Sequence, residues 1–139
     1  MTSDATTNRA VLDLAQDHIH LSLDASATPL PDFSWSEDGK DAYRERFTAD
    51  DGKGRIVCAF EQGASWDAWE RHPAGDEVVI AMSGRFVVVQ DLGEEHRRIE
   101  LGPGQAMINP AGVWHTADVI EAGVGLFITP GEGTEHRPR

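Results

Sequence analysis

The chain has 139 residues, 40% of them hydrophobic and 26% charged, enough for one globular domain with its own core and too few for two. Asp and Glu number 24 against 12 Lys and Arg, a net charge of −12; this predicts no nucleic-acid partner, because duplex binding rests on Lys and Arg neutralising phosphates, and no anionic membrane surface. No apolar run is longer than that from Val78 to Met82, far short of the ~20 residues of a membrane-spanning helix, the first ten residues lack the pattern of a secretory leader, and the single cysteine, Cys58, permits neither an internal disulfide nor a Cys-rich zinc site, so a cytoplasmic protein is expected.

Residues 1–10 are small and polar and predict a flexible N-terminus. Residues 11–16 (VLDLAQ) carry the best of a weak helical signal, so the segment entering the domain is short helix or extended chain. HIHLSL at 18–23 then alternates with period two, as a half-buried strand does. Residues 28–40 hold two prolines, a glycine and several acids and predict a loop, and YRERF at 43–47 fits a short helix or a strand. Eight further strands are predicted at 55–60, 65–71, 77–83, 85–90, 97–101, 105–108, 115–120 and 124–129, divided by turns such as Pro73-Ala74-Gly75, Ser83-Gly84 and Gly102-Pro103-Gly104. Nine short strands at this spacing define an all-β sandwich or barrel over residues 11–130. Residues 131–139 (GEGTEHRPR) combine Gly, Pro and charge and predict a flexible C-terminal tail.

The strands around Val78–Met82 and Phe86–Val89 are apolar on both faces, whereas a sheet with one wet face alternates. Their outer side therefore needs a cover, either the N-terminal segment or a second copy of the chain, and a homodimer is the expectation.

The candidate chemistry lies in two places. In SWDAWERH (65–72), Trp66, Ala68, Glu70 and His72 share one face. Glu77 opens the next strand after a short turn, and His115 follows the turn Pro110-Ala111-Gly112. In a closed barrel all four polar side chains could converge. Singly, each has a plainer reading: a lone histidine on a β face is usually a hydrogen-bonded core or surface residue, and a lone glutamate is usually solvated. Their joint spacing points to a site. Trp66 is a candidate pocket wall, as are Phe60 and Phe127, although core packing is the plainer role for both phenylalanines. Arg85 either faces inward to bind a carboxylate or ends its strand in solvent. Cys58, in an apolar strand, fits a buried structural thiol.

These residues resemble the two motifs of the cupin family. In the first, G-x5-H-x-H followed after three or four residues by E-x6-G, Glu70-x-His72 stands at H-x-H, four residues intervene, and Glu77 and Gly84 follow in register. In the second, G-x5-P-x-G-x2-H-x3-N, Gly104, Pro110, Gly112 and His115 stand at the required spacings. Three positions depart: Glu70 replaces the first histidine, Gly63 lies seven residues before Glu70 rather than six, and Val119 replaces the final Asn. The resemblance implies a single-domain jelly-roll β-barrel with a divalent metal ion (Mn, Fe, Zn or Ni) held by Glu70, His72, Glu77 and His115. Without an ion, Glu70 and Glu77 would be two carboxylates in one low-dielectric pocket, one of them kept protonated and able to act as general acid or base. The implied function is a metalloenzyme of isomerase, lyase or dioxygenase type acting on a small polar organic molecule; the alternative is a non-catalytic binding or sensing barrel.

Overall fold

A computed structural model of the chain describes residues 10–31 and 33–139; the predicted flexible N-terminus lies outside them except for Ala10. The described residues form eleven strands, one α-helix and a single 3-10 turn. In chain order these are β1 (His18–Leu21), β2 (Ala27–Leu30), α1 (Glu37–Arg46), the turn Thr48–Asp50, β3 (Arg55–Gln62), β4 (Ala68–Arg71), β5 (Glu77–Ala81), β6 (Arg85–Asp91), β7 (His96–Leu101), β8 (Ala106–Asn109), β9 (Trp114–Glu121), β10 (Gly123–Pro130) and β11 (Glu135–Pro138). They build two antiparallel sheets, β2-β1-β3-β10-β5-β8 and β11-β4-β9-β6-β7, the jelly-roll arrangement. No helix among the described residues is long and apolar enough to cross a membrane.

Period-two alternation decides what goes inside. Cys58, Val79, Ala81, Phe86, Val88, Leu101, Met107 and Phe127 point between the sheets and form one buried cluster. Turn glycines let the strands reverse. Gly84 between β5 and β6 has φ +80°, and a Cβ there would sit 2.6 Å from the Glu121 carbonyl oxygen, so no other residue fits without moving the backbone. Gly112, ahead of β9, also takes a positive φ, +76°.

Three elements differ from the sequence-based expectation. Residues 11–16 make turns rather than a helix, being too short to nucleate one. The region predicted as a loop over 28–40 contains most of β2 and the start of α1. Helix α1 forms because Ser36 caps it, its hydroxyl accepting the Gly39 N–H at 3.2 Å, and because Glu37 and Asp38 open it while Arg44 and Arg46 close it, matching the helix dipole. One aromatic residue fastens it: Tyr43, buried against Leu30 and Ile56. The Tyr43 hydroxyl lies 2.6 Å from Nδ1 of the buried His20, whose Nε2 lies 2.6 Å from an Asp50 oxygen. The third difference is the tail: residues 135–138 are not loose but pair with β4, Glu135 opposite Arg71 and His136 opposite Glu70.

The outer faces of the two sheets also differ. On the β6 sheet, Val87 and Val89 are buried beneath Trp69 and Trp114 of the same chain, and the Arg137 guanidinium lies 5.3 Å and 4.5 Å over those two rings. On the β5 sheet two outward rows are apolar, one of them across five strands. One register row runs Ile19, Val57, Ile128, Val78, Ile108, and the next runs Ala59, Leu126, Ile80, Ala106. Ile108 is 57% exposed.

Candidate metal centre

Strand pairing assembles the site. Glu70 on β4 stands directly opposite His115 on β9. His72 follows the end of β4, and Glu77 opens β5 opposite Asn109 of β8. His72, Glu77 and His115 are almost wholly enclosed, at 3%, 2% and 1% exposure. Each histidine Nε2 lies 3.2 Å from one oxygen of the Glu77 carboxylate, His72 from Oε2 and His115 from Oε1. The two imidazole rings are 5.1 Å apart.

The rest of the shell holds these groups in one orientation. Glu77 accepts from Asn109 Nδ2 at 3.0 Å and from Thr129 Oγ1 at 2.7 Å, and Gln90 Nε2 donates in turn to Asn109 at 3.1 Å. His115 Nδ1 faces the Val113 carbonyl at 3.3 Å. A carbonyl only accepts, so Nδ1 carries the proton and the neutral ring presents a lone pair at Nε2. His72 Nδ1 meets the Thr134 hydroxyl at 2.9 Å. Glu70 is more open, and its Oε2 accepts from His136 Nε2 at 2.8 Å.

Burial by itself would raise the Glu77 pKa, but His115 and His72 outweigh it and hold the carboxyl well below its ordinary range. Burial likewise depresses His115, and Glu77 more than reverses it, so its pKa is raised. Glu77 is therefore a fixed anion between two imidazoles, not a partner in a shared carboxylate proton.

Divalent metal fits this donor set. His72 Nε2 and His115 Nε2 are buried without a hydrogen bond: the Glu77 oxygens are near enough but not aligned to accept. Two buried imidazole nitrogens without hydrogen bonds, converging on one carboxylate, are costly by themselves and suit an ion. Donor atoms of Glu70, His72 and His115 all lie within 4.8 Å of one another, and two imidazoles with carboxylate oxygen match the preference of Mn, Fe, Ni or Zn rather than Cu(I).

Above the centre is a cavity of about 640 Å³ with Glu70, His72 and Glu77 in its wall. His115 fronts a much smaller void of about 20 Å³ behind Trp66. Of the sequence-predicted pocket residues, Trp66, Phe60 and Phe127 line the large cavity. Arg85 does not: it starts β6, at the end of the barrel away from Glu77, and its guanidinium packs against Gly102. Cys58, buried with its thiol pKa pushed up to about 12 by burial, reaches the cavity wall. Trp35 at the mouth was not foreseen; His18 Nε2 lies 3.3 Å from its indole N–H. Thr134 and His136 fall in the stretch that composition predicts as a flexible tail; the charge match of EHRP with AWER is the sequence signal that points to their pairing.

Residues 56–129 match the family model for the cupin domain, more than half of the chain, and the chain belongs to the cupin family. Among solved structures it is similar to a cupin-2 domain containing protein from Shewanella frigidimarina (24% identity, TM-score 0.48, 55% of this chain and 70% of that one). It is also similar to hydroxypropylphosphonic acid epoxidase from S. wedmorenis (15%, 0.47, 54% and 43%) and to hydroquinone 1,2-dioxygenase from a Sphingomonas species (17%, 0.46, 54% and 58%). The chain thus spans less than half the length of the epoxidase and little over half that of the dioxygenase. No curated protein matches it.

Proposed function

We propose that the protein is a metalloenzyme in which His72, His115, Glu77 and Glu70 hold one divalent ion, Mn, Fe, Zn or Ni, at the floor of the cavity. The observation that carries this reading is the pair of enclosed imidazole nitrogens without hydrogen bonds, aimed at a common carboxylate. A bound ion would supply Lewis acidity or, as iron, a site for dioxygen. The side chains divide the remaining work. Glu77, with both oxygens engaged by Asn109 and Thr129, is the fixed anion. Glu70, 27% exposed at its side chain and bonded to an exposed imidazole, is the ligand on the cavity side; if it stands off the ion, it is the group placed to move a proton to or from a substrate. Trp35, Phe60, Trp66 and Phe127 offer flat apolar walls to a small organic molecule whose polar end meets the floor. The reaction is of isomerase, lyase or dioxygenase type, in a cytoplasmic protein that pairs with a second copy through the apolar face of the β5 sheet.

Elemental analysis after reconstitution tests the reading. The protein is expected to carry one metal per chain, and His115→Ala and His72→Ala to lose it. A wild-type protein that takes up none of the four ions sinks the proposal. Metal uptake without turnover across diketones, thiols and aromatic diols would assign the barrel to ligand capture instead.

A further inference from the structure

Strand β11 has two differently occupied faces. Outward, Arg71 bonds Glu135 at 2.6 Å and Arg137 bonds Asp91 at 2.6 Å while covering Trp69 and Trp114. Inward, Thr134, which leads into the strand, and His136 line the cavity. Each inward residue touches one candidate ligand: Thr134 Oγ1 lies 2.9 Å from His72 Nδ1, and His136 Nε2 lies 2.8 Å from Glu70 Oε2. His115 and Glu77 take their outer bonds from inside the barrel, at Val113, Asn109 and Thr129. Half of the candidate centre is thus oriented by a strand beyond the residues, 56–129, that match the family.

We infer that β11 is a ligand-positioning strap, with Thr134 and His136 its two positioning residues. The inference rests on the metal-binding reading. The Thr134 hydroxyl holds His72 through Nδ1 and so fixes the ring orientation that turns Nε2 toward the centre. His136 donates to Oε2 of Glu70 and holds that carboxylate beside the two imidazoles. The outward ion pairs and the arginine over the two tryptophans clamp the strand and keep both contacts in place. Without the strap, the His72 ring can rotate and Glu70 can swing into the open cavity.

The test is zinc affinity by chelator competition, with the visible spectrum of the cobalt-substituted protein as a second readout. Thr134→Val and His136→Ala are each expected to weaken zinc binding about 10- to 100-fold, the range for lost outer partners of metal ligands, and to alter the cobalt bands. Thr134→Ser and His136→Gln, which retain a hydroxyl and a donor, are expected to recover most of the affinity. The metal-free variants should melt within a few degrees of wild type, since the His136 side chain is 57% exposed. Wild-type affinity and an unchanged cobalt spectrum in both Thr134→Val and His136→Ala would overturn the inference while leaving the metal centre standing. A wild-type chain that binds neither zinc nor cobalt would overturn both.

Discussion

Glu77 is the residue on which the interior of the barrel turns. Its carboxylate answers two imidazoles, an amide and a hydroxyl at once. Replacing it with Ala leaves four buried polar groups without their anion, and the metal-free protein is expected to lose about 3–5 kcal/mol in urea unfolding. Its pH signature follows from the two shifted groups. The Glu77 carboxyl is held below its ordinary 4.5, so its contribution is present above that pH and is lost as the pH falls further. The His115 pKa is raised above its ordinary 6.5, so its contribution is complete below that pH and is lost as the pH rises through the folded-state value. The stability gap between metal-free wild type and Glu77→Gln should therefore be widest between about pH 4.5 and 6.5 and close on either side. A gap that is flat from pH 4 to 8 in thermal melts would refute the coupling. Bound metal should move the optimum upward, because coordination needs His115 neutral.

At the scale of elements, short strands punctuated by Gly and Pro were legible because each turn demands a backbone that few residues adopt, and because alternation tells inside from outside. Alternation put Glu70 and His72 on one face, and pairing sets His115 opposite Glu70; Glu77 approaches from the other sheet, and the resemblance of the spacing to the cupin motifs is what joined it to them. What stayed hidden was β2, a short edge strand carrying a proline and paired only with β1, the first turns of α1, and β11; α1 and β11 draw their stability from partners outside their own segments. Helix α1 has only one buried residue of its own, and β11 is built from charged residues whose complements lie on β4 and β6. Propensity sees neither. The helix anchor can be checked directly. Tyr43→Phe removes the hydroxyl beside His20 Nδ1 and leaves a buried ring nitrogen unsatisfied, at an expected cost of about 1–3 kcal/mol in chemical unfolding. A loss below about 0.5 kcal/mol would mean that aromatic packing alone holds α1 to the sheet.

For the whole molecule, the contrast between the two outer faces predicts where a second copy sits. Trp69, Trp114 and the arginines above them already cover one sheet. The other presents isoleucine, valine and leucine across five strands, the kind of continuous apolar area that marks an interface. Ile80→Asp or Ile108→Glu is expected to convert a dimer into a monomer in light scattering at micromolar concentration, and a wild-type monomer under those conditions would remove the expectation. The topology has a consequence for synthesis as well. β3 pairs along its whole length with β10, its last residue Gln62 meeting Gly123, about 60 residues later. At ~5–20 residues per second the ribosome needs roughly 3–12 s to deliver that partner. Throughout that interval the nascent chain displays an unpaired β3 edge, open to chaperones and to self-association until β10 arrives.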